Sequence, residues 1–177
     1  METLDYYHFA KLSLFNARLL ADLEEARESK PDVEEIIHAR AQSDNVREPV
    51  NLVHQSTLFA HAYIILVWLD ERIHKEFQQT KKESFAERLS ERFDLRRDTQ
   101  KLSSTYRDLG KQSVFLGTMR NALAHAHVDI EDDCFVFSDE NQRRANDKAE
   151  IRMTWDQLGK LLDATMFAYN DVLYAGR

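Results

Sequence analysis

Hydrophobic and polar positions alternate with a helical period along most of the chain. Over residues 4–28, apolar side chains recur every three or four positions, which predicts a helix with one buried face. A short helix at 32–43 and a long one at 49–77 are predicted in the same way. Residues 58–69 are apolar on nearly every side, so we expect this part to be surrounded by other helices or covered by a partner subunit.

Four further helices are predicted in the second half of the chain. They are predicted from side chains at helical spacing or, for the second, from Asp98 as a cap and Gly110 as a stop. Their expected ranges are 83–95, 98–109, 113–127 and 154–175. The last is the best marked, because Thr154 and Gln157 form a capping box before its apolar face and Gly176 suits its end.

A different pattern separates the last two helices. Residues 134–137 and 149–153 alternate in polarity and are joined by a polar loop, which predicts a β-hairpin. The pattern as a whole therefore predicts an all-α fold, a bundle of six or seven helices with a short β-hairpin before the C-terminal helix. We expect residues 1–177 to form a single domain, because no internal repeat or linker interrupts them.

Composition supports this interpretation. Among 177 residues there are only 4 glycines and 2 prolines, which favours long helices over a turn-rich β fold. The 43% hydrophobic and 31% charged content is typical of a globular domain with a sizeable core. Cys134 is the single cysteine, which excludes an internal disulfide and suits a reducing compartment. We expect it to be a small buried side chain in a strand.

Net charge and hydropathy restrict the class of protein and the compartment in which it is expected. A net charge of -7 disfavours a general nucleic-acid coat protein but is compatible with a local basic cleft. The longest apolar run, residues 62–69, is far shorter than the ~20 residues of a membrane helix, so no membrane partner is expected. The first five residues are acidic rather than basic, unlike a secretory signal. We therefore expect a cytoplasmic protein.

The candidate functional side chains lie at the end of the helix that is predicted to begin at residue 113. Arg120, Asn121, His125 and His127 follow an apolar run, and Asn121 and His125 lie one helical turn apart. An imidazole can transfer protons near neutral pH, and a guanidinium can bind a phosphate through two nitrogens. The amide of Asn121 can orient the imidazole. This set of side chains suits cleavage or transfer of a phosphodiester.

The string from Arg120 to His125 resembles the Arg-Asn-x-x-x-His signature of HEPN domains. Members of that family are helical, and many are metal-independent endoribonucleases in toxin–antitoxin, anti-phage and RNA-processing systems. The resemblance implies cleavage of single-stranded RNA without a metal or other cofactor. It assigns Arg120, Asn121 and His125 to catalysis, with His125 as general acid or base and Arg120 as the phosphate clamp. It also implies a possible antitoxin or regulatory protein as partner.

One copy of the chain has one motif histidine, whereas cleavage requires both an acid and a base. In HEPN nucleases, dimerisation brings two motifs into a shared cleft. The resemblance therefore implies a two-fold homodimer in which two Arg120 and two His125 side chains face one another.

His127 departs from part of the family. HEPN toxins paired with nucleotidyltransferase antitoxins typically have a tyrosine two residues after the motif histidine, and the antitoxin modifies it. Histidine at this position puts that mode of regulation in doubt. His127 could be an auxiliary proton carrier or a cation placed favourably at a helix C-terminus. The sequence leaves both open.

A metal site is the main chemical alternative. His125 and His127 are followed by four acidic residues, Asp129, Glu131, Asp132 and Asp133. Two histidines spaced this way diverge by about 200° on a helix, and the acidic residues resemble an exposed turn. A solvated loop is therefore the favoured interpretation, and no metal ligands are assigned.

Other polar residues are weaker candidates for a functional role. Arg88, Arg92 and Arg96 recur every fourth residue, which indicates either a weak RNA-binding stripe or a solvated face with Arg88 paired to Glu91. His54 and His61 are expected to be satisfied polar groups near the core. Gly117 costs about 1 kcal/mol in a helix, which suggests a close helix approach or a bend.

A second function stays open at this point. If Arg120 pairs with an acidic residue and His125 caps a carbonyl, the motif is structural. The protein would then be a non-catalytic helical scaffold that binds a partner protein or nucleic acid.

Overall fold

The structure is a computed structural model that describes residues 3–27, 29–44, 55–131, 133–140 and 147–175. His54, Asp132 and Gly176 lie outside these ranges, as does the expected start of the third helix near residue 49. The expectations placed on them are therefore not addressed by the structure.

Six helices form most of the described chain. In chain order they are α1 (Thr3–Arg27), α2 (Pro31–Ser43), α3 (Gln55–Ala62, continuing as a π-helical stretch Tyr63–Trp68 and an α-helical turn Leu69–Arg72), α4 (Gln79–Arg92), α5 (Gln112–Ala124) and α6 (Trp155–Tyr174). A 3₁₀ turn, His74–Glu76, connects α3 to α4. Five of the seven predicted helices are present with small shifts at their ends, and the motif helix α5 ends earlier than expected.

The helix ends that were best marked in the sequence are present. Pro31 occupies the first turn of α2, where its missing N–H costs nothing. The Thr154 side chain accepts a hydrogen bond from the Gln157 backbone at 3.3 Å, and the Gln157 side chain accepts one from the Thr154 backbone at 2.9 Å. This capping box satisfies two backbone N–H groups at the start of α6.

The fold is mostly helical, as predicted, but the β part is larger than the expected hairpin, because four strands form an antiparallel sheet. They are β1 (Lys101–Ser104), β2 (Val128–Glu131), β3 (Cys134–Glu140) and β4 (Lys148–Thr154), in the spatial order β1-β4-β3-β2. The predicted hairpin is the central pair β3–β4, with Phe135 opposite Met153 and Phe137 opposite Ile151. A strand is added on each side of it.

The helix predicted at 98–109 does not form. Instead, β1 pairs with β4, with Lys101 opposite Arg152 and Ser104 opposite Ala149. The strand is short and half-exposed, so its own pattern gives little periodicity, and its hydrogen bonds come from a partner some fifty residues later.

The core lies between the sheet and the helices. Phe135, Phe137, Ile151 and Met153 are fully buried on one face of the sheet. Helix α5 packs against β3 on one side and against the π-helical stretch of α3 on the other. The motif helix is thus held from two sides by elements distant in sequence.

Most of the apolar part of α3 is covered by the chain itself. Ala62, Ile65 and Leu69 are fully buried, while Tyr63 is 43% exposed. This favours the first of the two explanations for its apolar pattern, burial among other helices. In the described residues, no helix is long and apolar enough to cross a membrane.

Candidate functional site

The motif helix ends one residue before the motif histidine. Helix α5 stops at Ala124, His125 is its C-cap, and Ala126 has a φ of 56°. The His127 N–H donates to the Ala122 carbonyl at 2.8 Å, and the Ala126 N–H donates to the Leu123 carbonyl at 3.3 Å. These two bonds define a Schellman motif with alanine where glycine is usual. The prediction that the helix extends through His127 is therefore wrong.

The chain reversal at Ala126 changes the relation between the two histidines. Their ring centroids lie 6.0 Å apart with 37° between the ring planes, and both side chains are exposed. The expected divergence assumed continuous helix and does not apply after the left-handed residue. The His127 carbonyl accepts a hydrogen bond from the Ser138 N–H at 2.9 Å, which joins this turn to β3. His127 therefore lies beyond the helix, at the entry to β2.

Arg120 is held by a carboxylate from α3. Its Nη1 lies 3.0 Å from Oδ2 of Asp70, and the two side chains are 32% and 22% exposed. Asp70 follows the π-helical stretch, a feature that often marks functional positions. One half of the structural interpretation of the motif, pairing of Arg120 with an acidic residue, is thus present. The guanidinium is partly exposed and has further nitrogens for a ligand.

Asn121 is bound to the sheet and not to the imidazole. Its Nδ2 donates to Oδ2 of Asp139 at 3.2 Å, and its Oδ1 lies 3.5 Å from Nη2 of Arg120. The contact between Asn121 and His125 is the helical one, from the His125 N–H to the Asn121 carbonyl at 3.0 Å. The expected orienting of the His125 ring by the Asn121 amide is therefore not present in this structure.

Asp139 belongs to a buried ion cluster that the sequence pattern did not reveal. Arg107 forms ion pairs with both Asp139 and Asp147, the latter at 3.0 Å between Nε and Oδ1. The two carboxylates are less than a tenth exposed. Arg107 lies in the loop between β1 and α5, so the cluster connects that loop, the sheet and Asn121. We therefore expect the cluster to stabilise the position of the motif helix.

A cavity of about 250 Å³ opens beside Arg120. Asp70, His74, Lys82, Tyr169 and Arg120 are among the residues that line it, together with the motif-helix residues Ser113, Leu116 and Gly117. No atom lies within 4 Å of where a Cβ on Gly117 would be. The expectation of a close helix approach at Gly117 is therefore wrong, since this glycine faces the open space of the cavity.

His74 is the side chain in this region that sequence reasoning missed. Its ring packs on Phe85 and Phe77 at centroid distances of 4.9 and 5.6 Å. Burial lowers the pKa of His74, with Asp70 opposing and Lys82 adding to the shift. Its Nδ1 is buried and has no hydrogen-bond partner among the described residues. No motif marks His74, because only the 3₁₀ turn after α3 brings it to the cavity.

The proposed arginine stripe is divided by the end of α4. Arg88 is paired with Glu91 at 3.0 Å, as the solvated-face interpretation expected. Arg92 lies over the ring of Phe167, 4.5 Å from its centroid. Arg96 follows the helix, which ends at Arg92, so the three cations do not share one helical face. Their role in RNA binding stays a prediction with little geometric support.

Of the described acidic residues after the motif, Asp129 and Glu131 lie on β2 and Asp133 lies in the turn before β3. Glu131 is paired with Arg152 at 2.7 Å, and Asp133 is 3.3 Å from the Cys134 thiol. Among the described residues, no group of three or more histidine, cysteine, aspartate or glutamate side chains is arranged to hold a metal ion. Cys134 itself is buried at the start of β3, and burial raises its pKa.

His61 agrees with its sequence interpretation. It is 9% exposed, and its Nδ1 lies within hydrogen-bond distance of the Thr57 carbonyl one turn earlier. It is a satisfied polar group at the edge of the core.

Comparison with known proteins identifies a family. A family model described as HEPN pEK499 p136 matches residues 6–172, nearly the whole chain. No curated protein and no solved structure matches the chain. The matched range includes Arg120, Asn121, His125 and His127.

Proposed function

The chain belongs to the HEPN family, and from this premise we propose that it is a metal-independent endoribonuclease acting on single-stranded RNA. Arg120 and His125 carry the chemistry, Asn121 supports the motif, and His127 is auxiliary. The proposed setting is a cytoplasmic toxin–antitoxin or phage-defence system, in which a second protein controls the activity.

The observation that carries this proposal is the exposed pair of imidazoles that follows Arg120 in the motif. His125 and His127 face solvent with rings 6.0 Å apart, on a turn held by backbone hydrogen bonds. Two neighbouring imidazoles can in principle supply both a proton acceptor and a proton donor, which cleavage requires. Such a pair supports proton transfer better than a role in the core.

The proposed reaction is a transesterification. A neutral imidazole removes the proton of the ribose 2′-OH, and the 2′-oxygen attacks phosphorus. The bond from phosphorus to the 5′-oxygen breaks, and an imidazolium protonates the leaving oxygen. Arg120 binds the non-bridging oxygens through two nitrogens as negative charge develops there. The products are a 2′,3′-cyclic phosphate and a free 5′-hydroxyl.

A homodimer completes the proposed site. In each copy the motif residues lie at the partly exposed end of α5, so a second copy facing this end would bring two Arg120 and two His125 side chains into one cleft. His125 of one copy then acts as base and that of the other as acid, with His127 able to relay protons.

The test is cleavage of labelled single-stranded RNA in EDTA. We expect 2′,3′-cyclic phosphate ends, and no cleavage of DNA, which lacks the attacking hydroxyl. His125→Ala should lower the rate by about 10²–10⁴. Lys30→Ala, which removes an exposed cation at the start of α2, serves as the unaffected control. Cleavage that requires added zinc or magnesium would contradict this mechanism.

A second function is favoured by one specific contact. Arg120 is paired with Asp70 at 3.0 Å, which a purely structural role for the motif requires. The alternative is a non-catalytic helical scaffold that binds a partner protein or nucleic acid. Absence of cleavage of any RNA, together with retained binding, would favour it.

A further inference from the structure

The sheet has a free edge directly after the motif. Strand β2 (Val128–Glu131) is the last strand in the order β1-β4-β3-β2, so a strand pairs with it on one side only. Three of its four residues are exposed: Asp129, Ile130 and Glu131. An unpaired strand edge can take up an extended segment of another chain through backbone hydrogen bonds. The edge of β2 is therefore a candidate docking surface.

The register of β2 against β3 determines which backbone groups face outward. The Ser138 N–H donates to the His127 carbonyl at 2.9 Å, so the odd-numbered residues of this segment form the hydrogen-bonded pairs with β3. Val128 and Ile130 consequently direct their N–H and carbonyl groups away from the sheet. Among the described residues, no turn or loop forms a backbone hydrogen bond with these groups. The edge thus offers both donors and acceptors in strand geometry.

The inner face of β2 continues the apolar core to this edge. Ile130 lies opposite Phe135, and Phe135 lies opposite Met153. Phe135 and Met153 are fully buried, whereas Ile130 is 44% exposed. An apolar side chain placed beside Ile130 by an added strand would therefore extend the row and remove apolar surface from water.

The outer face of β2 is acidic. Asp129 and Glu131 alternate with the apolar residues and so point to the other side of the sheet. Glu131 is paired with Arg152 at 2.7 Å, whereas Asp129 has no ion-pair partner among the described residues. The strand contains neither proline nor lysine, the residues that commonly protect an edge from pairing. Its charge instead selects which strand can pair.

This charge argues for a partner of different sequence over a second copy. A second β2 would bring the same carboxylates to the same face, and like charges on paired strands are unfavourable. A strand with basic side chains on its outer face and apolar side chains on its inner face would complement both Asp129 and Ile130.

We propose that the free edge of β2 binds an extended strand of a partner protein in which basic and apolar side chains alternate. Because β2 begins directly after His127, the bound strand lies next to the turn that carries the motif histidines. This docking surface goes beyond the proposed function, since binding requires no cleavage.

The experiment titrates the full chain with a fluorescently labelled six-residue peptide in which lysine and valine alternate, and fluorescence anisotropy measures binding. A peptide of the same composition, with three lysines followed by three valines, controls for attraction by charge alone. We expect the alternating peptide to bind at least about tenfold more tightly, because only its side chains match both faces of β2.

Two variants test the backbone and the charge separately. Ile130→Pro removes one outward N–H and no bond to β3, at an edge position where proline is tolerated, and should weaken binding at least about tenfold. Asp129→Lys should weaken binding of the lysine peptide about threefold to tenfold and strengthen binding of a peptide in which glutamate and valine alternate. The matched control is Asp22→Lys, which reverses an exposed carboxylate on α1. Circular dichroism checks that each variant is folded.

Amide hydrogen exchange, followed by nuclear magnetic resonance, locates the peptide on the original chain. We expect the amides of Val128 and Ile130 to exchange rapidly in the free protein and slowly in the complex. The amides of β1, at the opposite edge of the sheet, should not change. This readout needs no variant and separates strand pairing from adsorption by charge.

The outcomes are distinguishable. Slower exchange at Val128 and Ile130, with binding weakened by Asp129→Lys and not by Asp22→Lys, supports the surface. Equal binding of the two lysine peptides, or unchanged exchange at Val128 and Ile130, overturns it. Slow exchange of these amides in the free protein also overturns it, because the edge would already be covered. Selective binding by a chain that cleaves no RNA would reject the proposed ribonuclease and support this surface.

Discussion

The side-chain amide of Asn121 donates a hydrogen bond to the carboxylate of Asp139 at 3.2 Å, so the motif helix is bound to the sheet at its second motif residue. The same carboxylate forms an ion pair with Arg107 in a nearly buried position. A residue expected to orient the catalytic ring thus connects the motif to the ion cluster of the core.

Asp139→Asn should lower the free energy of unfolding by about 1–3 kcal/mol, because it weakens a buried charged pair and the bond to Asn121. Glu140→Gln is the control, since Glu140 pairs with Lys148 on the surface and exposed pairs contribute about 0–1 kcal/mol. Urea denaturation measures both. Equal stability of the two variants would show that the cluster does not hold the motif helix.

Replacing Arg120 and replacing His125 should change the free energy of unfolding by different amounts. Arg120→Ala leaves the half-buried Asp70 without its partner, and we expect a loss of about 1 kcal/mol. His125→Ala removes an exposed ring and should change stability by less than about 0.5 kcal/mol. Arg120→Lys keeps the charge but not the two-nitrogen grip, and separates binding of phosphate from pairing with Asp70. Urea denaturation and cleavage rates are measured on the same samples.

Ala126 occupies a left-handed backbone conformation, with φ at 56°. Ala126→Gly should stabilise the protein by about 1 kcal/mol, because glycine adopts this conformation without steric cost. Ala124→Gly, two residues earlier in the last turn of α5, should destabilise it by a similar amount. Thermal unfolding distinguishes the two signs. Destabilisation by both would mean that the turn is not left-handed.

Asp98 should make the protein sensitive to acid. A hydrogen bond from Arg97, with a further one from Lys160 at 2.7 Å, lowers the pKa of this carboxyl against the opposing effect of burial. Since the folded pKa lies below the unfolded value of 3.8, the carboxylate stabilises the fold at neutral pH. That contribution is lost as the pH falls below about 4, because the unfolded chain then binds the proton more readily.

The difference in unfolding free energy between the original chain and Asp98→Asn should therefore be largest near pH 7 and decrease below about pH 4. Asp163→Asn removes an exposed ion pair with Arg18 and should show little dependence on pH. Denaturant titrations between pH 7 and 3 measure both. A difference that grows as the pH falls would contradict the assigned shift.

A shared site requires a dimer at working concentration. We expect light scattering to give the mass of two chains at micromolar concentration, and the specific cleavage rate to fall on dilution as dimers dissociate. An enzyme acting as a monomer would keep a constant specific rate. A monomeric mass together with full activity would eliminate the shared cleft and assign both proton transfers to His125 and His127 of one copy.

Several features were determined by the sequence alone because their causes are local. The capping box of Thr154 and Gln157 involves residues three apart, and the apolar stripe behind it repeats every turn of one helix. The string from Arg120 to His125 is continuous, so the family could be recognised without any contact being known. The alternation at 134–137 and 149–153 predicted the two central strands for the same reason.

Only the tertiary structure determined the contacts between residues that lie far apart in the sequence. Arg120 meets Asp70 across 50 positions and Asn121 meets Asp139 across 18, and no local period encodes either pairing. Strand β1 forms because β4 supplies its hydrogen bonds, although Asp98 and Gly110 suit the two ends of a helix. Periodicity predicts which face of a helix or strand is buried, whereas the packing of the whole fold determines which residues that face contacts. The side-chain partners of the motif were therefore decided by packing.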